Sequence, residues 1–175
     1  MKEKHLLIVA LILFCLVVYY NLFEYGYGRN EAAEQQWSPI IFLQYGDVKK
    51  VSATTSDGKE SVFERTGNRW RIIKGTQVER WQEKVQDFVM NLLMTVEIDK
   101  IPADEVELSA FGLDNPRYRI TITDVTDKSY QLLVGKQSPT RTSVYAKFAD
   151  SPSVLVVGAL LNWEISKIDP LLTAP

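Results

Sequence analysis

The side chains best suited to nucleophilic or metal chemistry are few in this chain and fall in one stretch of it. The only histidine is His5 and the only cysteine is Cys15, both in the N-terminal twenty residues. A Ser-His or Cys-His nucleophile needs both groups within hydrogen-bond reach at a water-accessible site, and zinc or haem is ordinarily held by His or Cys. Neither arrangement can be built from Asn21 onward. Carboxylates remain available: Asp99, Asp104, Glu105 and Glu107 lie close in sequence, and Asp124 and Asp127 flank a turn. Oxygen ligands bind Ca²⁺, but neither set has the Asp-x-Asp-x-Asp-Gly spacing of a calcium loop, so they read as solvated turn charges. A glycosidase-type carboxylate pair depends on a spatial separation of about 5–9.5 Å that sequence does not fix. Gly112 and Gly135 lie in no Gly-rich cluster opening a helix; backbone geometry, not phosphate binding, is their expected task. The expectation is a protein that is not an enzyme and holds no cofactor and no metal.

The aromatic and basic residues divide in the same way. Trp70 and Trp81 occupy core phases of a strand and a helix, which predicts packing. Trp37, between linker and domain, and Trp163, on a short terminal helix, are the candidates for partner contact, since aromatic anchors are enriched at interfaces. Arg65, Arg69 and Arg71 straddle one hairpin turn with Glu60 and Glu64 nearby, which predicts cross-strand charge pairing. With 20 Lys+Arg against 22 Asp+Glu and a net charge of −2, the chain has no basic field for a phosphate backbone. Nucleic acid is excluded as an expected partner.

Leu6 to Tyr20 reads LLIVALILFCLVVYY, without a charge, and only Asn21 interrupts before Leu22 and Phe23. From His5 to Phe23 this predicts a helix long enough for a bilayer core of ~30 Å. Leu6, Ile8, Leu11, Phe14, Val17, Tyr19 and Tyr20 are its expected anchor residues, with the tyrosines at an interfacial belt. A cleaved signal peptide also begins with Lys and an apolar stretch, but here the stretch exceeds the usual ~7–15 residues and bulky Tyr, Phe and Glu follow it. Cys15, preceded by Leu13-Phe14, reads as a buried apolar thiol rather than a lipidation site. Lys2 and Lys4 precede the helix and Glu24 follows it, so the N-terminus is expected in the cytoplasm and the rest in the periplasm, anchored in the inner membrane. Residues 1–24 are then a stub and anchor, 25–38 a linker, and 39–175 an extracytoplasmic domain without an internal disulfide.

Within that domain Ile40–Tyr45 and Val48–Thr55 are strand-like. Ser56-Asp57-Gly58 and Thr66-Gly67-Asn68 are turns that lead into Ser61–Arg65 and Trp70–Ile73. Val78, Trp81, Val85, Phe88, Val89, Leu92, Leu93 and Val96 recur at helical spacing and predict a long amphipathic helix over one face of a sheet. Glu97–Ile101 is strand-like, Pro102 breaks it, and Ala103–Ser109 is expected to form one or two helical turns. Tyr118, Ile120 and Ile122 alternate with polar residues, and Ser129–Val134, Ser143–Phe148 and Ser153–Val157 follow across short turns. Ala159–Ile168 is a short amphipathic helix. The predicted class is α+β: an N-terminal transmembrane helix, then an antiparallel β-meander domain with one long and one short amphipathic helix.

Asn68-Arg69-Trp70-Arg71-Ile72, the following helix, Ala110-Phe111-Gly112-Leu113-Asp114-Asn115-Pro116, Leu132-Leu133-Val134-Gly135-Lys136 and a strand with Tyr145 together resemble the bacterial domain-of-unknown-function 4340 family, over about Pro39–Ile168. The resemblance implies a membrane helix followed by an extracytoplasmic α+β domain. It carries over no catalytic residue, and it implies a role in a membrane assembly, since some members resemble accessory components of transport or gliding systems. The expected function is a non-catalytic single-pass accessory subunit that docks on a larger integral membrane protein complex, either a transporter or a photosynthetic or respiratory assembly. A periplasmic binding module for a peptide, glycan or lipid is the alternative, and a carboxylate-dependent hydrolase a third reading.

Overall fold

The computed structural model describes residues 2–20, 38–102, 104 and 106–173. The chain divides into two compact units, Met1–Gln36 and Trp37–Pro175. The first holds helix α1 (Lys2–Tyr19), built from Leu, Ile, Val, Ala and Phe without a glycine or proline to break it. Its first three residues are charged, and Leu6–Tyr19 alone rise roughly 21 Å. Among the described residues no helix is long and apolar enough to cross a membrane. Leu22 and Phe23, which lengthen the apolar run in sequence, lie outside the described residues, as does the expected linker up to Trp37.

The second unit is an eight-stranded antiparallel sheet with two helices. Its strands are β1 (Val48–Thr55), β2 (Glu60–Thr66), β3 (Arg69–Lys74), β4 (Glu97–Pro102), β5 (Tyr118–Asp124), β6 (Ser129–Gln137), β7 (Ser143–Phe148) and β8 (Ser153–Gly158). They lie in the order β3-β2-β1-β5-β6-β7-β8-β4. Side chains alternate between the faces of each strand. Tyr118, Ile120 and Ile122 of β5 are buried, while Arg119 between them is exposed and Thr121 and Thr123 are half-buried. Phe63, Val51 and Ile122 face one another across β2, β1 and β5, and Ala53, Ile120 and Leu132 do so across β1, β5 and β6, so two adjacent apolar rows cross the sheet centre.

Helix α2 (Trp81–Leu93) buries Val85, Phe88, Val89, Leu92 and Leu93 in the same core as those rows. Helix α3 (Leu160–Ile168) adds Leu161, Ile165 and Ile168 and packs on α2. Each of these large side chains contributes about 1.5–3 kcal/mol by leaving water. The α+β class and the two amphipathic helices of the domain agree with the sequence.

Several boundaries differ. Ile40–Tyr45 is not a strand: Pro39 bridges Val96, Ile41 turns into the core, and Tyr45–Asp47 is a 3₁₀ turn. Proline has no N–H to continue a ladder there. The long helix is shorter at both ends than its apolar spacing suggests. Arg80, in left-handed conformation, precedes it, Val78 only packs on the core, and Val96 belongs to the bridge with Pro39. Pro102 is the last paired residue of β4 rather than a break before it. The helical turn expected at Ala103–Ser109 is found at Leu108–Phe111, and Ala103 and Glu105 lie outside the described residues. The chain crosses from edge strand β3 through α2 to the opposite edge, where β4 pairs with β8.

Candidate functional site

The turn carboxylates are structural. Asp124 Oδ1 accepts hydrogen bonds from Thr126 N at 2.7 Å, Thr126 Oγ1 at 2.6 Å and Lys128 N at 3.1 Å. The Thr126 hydroxyl foremost, with the two amides, holds the Asp124 carboxyl below the usual carboxylate range. Asp127 pairs with Lys49 at 2.6 Å, and Asp99 accepts from Lys100 N at 2.8 Å. Among the described residues no group of three or more His, Cys, Asp or Glu is placed to hold a metal ion. Of the three arginines, Arg71 makes the expected cross-strand pair, 3.7 Å from Glu64, whereas Arg65 donates to the carbonyls of Val48 and Gly46 and covers the Tyr45 ring, and Glu60 pairs with Lys74 instead.

The Phe-Gly-Leu-Asp-Asn-Pro segment closes onto the outer face of the sheet. Gly112 N–H donates to Ser109 O and Leu113 N–H to Leu108 O, a helix-ending pattern that needs the left-handed φ of 66° found at Gly112. Phe111 packs edge-on against Tyr145 of β7 at 4.6 Å between ring centres. Lys136 Nζ donates to Ser109 O at 3.1 Å. Gly135 lies beneath the turn, where any side chain would meet the carbonyls of Phe111 and Gly112. These two glycines therefore serve backbone geometry.

Two polar pairs sit on the helical face. Glu164 is only 2% exposed, and its Oε1 accepts from Lys167 Nζ at 2.8 Å while Oε2 accepts no hydrogen bond from the described residues. Tyr118 donates its hydroxyl proton to Asp169 at 2.8 Å; burial first, and then the Asp169 carboxylate, push the phenol up to about 12. Trp70 is buried and donates Nε1–H to Tyr45 Oη at 2.9 Å, and Trp81 packs at the core margin, so both serve packing.

What remains for recognition is apolar surface. In α1, whose backbone includes Leu6 and Ile8, Leu11, Phe14, Val17 and Tyr19 are each more than half exposed, as is Tyr20 beside it. Trp163 is exposed too, with Lys167 Nζ 3.7 Å over its ring; Trp37 lies outside the described residues. Two of the grooves on the domain are lined largely by apolar side chains. One, of about 540 Å³, is lined by Ile40, Phe42, Lys128, Tyr130, Phe148 and Asp150, and Phe42 is 79% exposed. The other, of about 190 Å³, lies between the end of α2 and the start of α3 and is lined by Met94, Val96, Leu160 and Leu161. Neither was singled out from sequence. The signal was there in Met90 and Met94, which share a helix face outside the apolar stripe, and in Leu160 beside Leu161.

One antiparallel sheet, two helices on one face and a glycine-dependent turn clasped to the other define the α+β class of this domain. The chain belongs to the family described as domain of unknown function (DUF4340), whose family model matches residues 70–167, more than half of its length. The match begins at Trp70 in β3, where the resemblance extended to Pro39, and it includes the Phe111–Pro116 turn and Gly135. No curated protein and no solved structure matches the chain.

Proposed function

We propose that this protein is a non-catalytic, single-pass, membrane-anchored accessory subunit that docks on and stabilises a larger integral membrane protein complex, a transporter or a photosynthetic or respiratory assembly. The observation that carries the reading is α1: from Leu6 onward its sequence is apolar on every side, and the side chains described from Leu11 to Tyr20 are exposed. A helix apolar on every side has to be covered, by lipid or by other apolar protein. The apolar run from Leu6 through Phe23 supplies roughly a bilayer's length, and Lys2 and Lys4 favour a cytoplasmic N-terminus in the inner membrane with the domain outside. Confinement beside the membrane raises the effective concentration of the domain toward neighbouring membrane proteins, so a modest interface suffices. Purification in mild detergent at native abundance tests this. Co-migration with a larger membrane complex is expected, and recovery of only the free monomer would overturn the reading.

A second reading, a periplasmic binding module for a peptide, glycan or lipid, is favoured by the open groove where the Phe42, Tyr130 and Phe148 rings meet Lys128 and Asp150. The sheet–helix interface itself is solidly packed, with Phe63, Phe88, Ile120 and Leu132 at most 1% exposed, so a ligand would use that groove and not the core.

A further inference from the structure

The groove between α2 and α3 is surrounded by large apolar side chains that the fold leaves in water. Met94 is 70% exposed, Leu160 and Trp163 are 59% exposed, and Met90 lies one turn before Met94 on α2. Ile98 of β4 adds to them beside Gly158, which helps line the groove. None of the residues lining this groove is charged. A concentration of exposed Met, Leu, Ile and Trp on one side of a small domain marks an interaction surface.

The chain enters the domain beside this groove. Ile40 N–H donates to Thr95 O at 2.9 Å, Glu97 N–H donates to Ser38 O at 3.2 Å, and Pro39 bridges Val96. Thr95 and Val96 line the groove, so the first described residues of the domain run along its margin. Only residues 21–37 separate them from Tyr20, and that length of chain reaches roughly 65 Å at full stretch. The patch also has the chemistry of a bilayer interface. The exposed Trp163 lies one turn beyond Leu160 on α3. Trp concentrates at the headgroup level of a bilayer.

We infer that Met90, Met94, Ile98, Leu160 and Trp163 form a lipid-facing surface that seats the domain on the membrane interface. The inference rests on the anchoring role proposed for α1. It makes α1 and this patch two attachments of one chain, the second shallow and reversible.

The full chain carrying Cys15→Ala is labelled with an environment-sensitive fluorophore at one introduced cysteine, Leu13→Cys, Met94→Cys or Thr121→Cys. Each protein is reconstituted in vesicles of phosphatidylcholine and phosphatidylglycerol, and quenching by spin-labelled lipid is compared with quenching by aqueous iodide. The Met94 label is expected to be quenched by lipid several-fold more than the Thr121 label, and Leu160→Glu is expected to abolish that difference. Lipid quenching at Leu13 with Met94 behaving like Thr121 would overturn the inference and leave the anchor standing. No lipid quenching at Leu13 would overturn the anchor and the inference with it. A Met94 label shielded from both quenchers would show protein covering the patch and would also overturn the lipid assignment.

Discussion

Gly135 of β6 lies directly under the carbonyl of Phe111, so close that a Cβ built on Gly135 would overlap that oxygen and sit 3.1 Å from Gly112 O. The displaced atoms are backbone on both sides, so neither can swing away as a flexible side chain would. Gly135→Ala is expected to lift the turn from the sheet and cost about 2–3 kcal/mol, within the usual range for forced overpacking. Gly46 has open space at its Cβ position and no positive φ, so Gly46→Ala is expected to stay within about 0.5 kcal/mol. Urea denaturation of both variants reads the difference, and equal midpoints would show that the turn is not held by Gly135.

Tyr118 ties β5 to the C-terminal end of α3 through Asp169. Tyr118→Phe removes one hydrogen bond to a carboxylate and is expected to cost about 1–2 kcal/mol at pH 7. The phenol's pKa is raised from 10.0 in the free side chain to about 12 in the fold, so the folded state holds this proton more tightly. The stabilisation is therefore complete below pH 10 and is lost as pH rises toward 12. Thermal melts across that window are expected to converge for the native protein and Tyr118→Phe. Parallel alkaline limbs would assign the loss to groups other than Tyr118.

Strand positions were legible where alternation was clean: Tyr118, Ile120 and Ile122 point inward, as their spacing says. Sheet order was not. Glu97–Pro102 reads as a strand, but nothing local reveals that α2 carries it across the whole sheet to pair with β8. Ile40–Tyr45 looks like a strand because Ile40, Ile41, Phe42 and Leu43 are all apolar. In the fold Ile41 is buried and Phe42 is exposed, a division set by neighbours distant in sequence. The turn from Phe111 to Pro116 was readable as a motif, and its task emerged only when Gly135 was placed beneath it. Glu164 sits on the same helical stripe as Leu161, Ile165 and Ile168, a spacing that already put a carboxylate on the buried side of α3.

That carboxylate gives a third expectation. Lys167→Met leaves the buried Glu164 without its ion partner, which is expected to cost about 2–4 kcal/mol, toward the range for a broken buried pair because Lys167 is itself part exposed. Replacing both, as Glu164→Met with Lys167→Met, exchanges the pair for packing and is expected to recover most of that loss. A double-mutant cycle by denaturant unfolding measures it. Additive losses would mean that the two side chains contribute independently.

The anchor can be tested within α1 itself. Leu13 lies near the middle of the run from Leu6 to Tyr20 and is exposed, so an arginine there disturbs no internal packing of the helix. In water the substitution is almost neutral; in a hydrocarbon core an arginine at mid-helix costs about 2.5–3.5 kcal/mol. Leu13→Arg is therefore expected to move a large share of the protein from the carbonate-resistant membrane pellet to the soluble fraction, and adding Val17→Arg to move nearly all of it. Tyr20→Lys, at the end of the run, leaves its ammonium able to reach the headgroups and is expected to stay in the pellet. A graded response of this kind separates a membrane helix from one that packs in a protein groove, where the effect of an arginine would follow the covered side of the helix and not its depth.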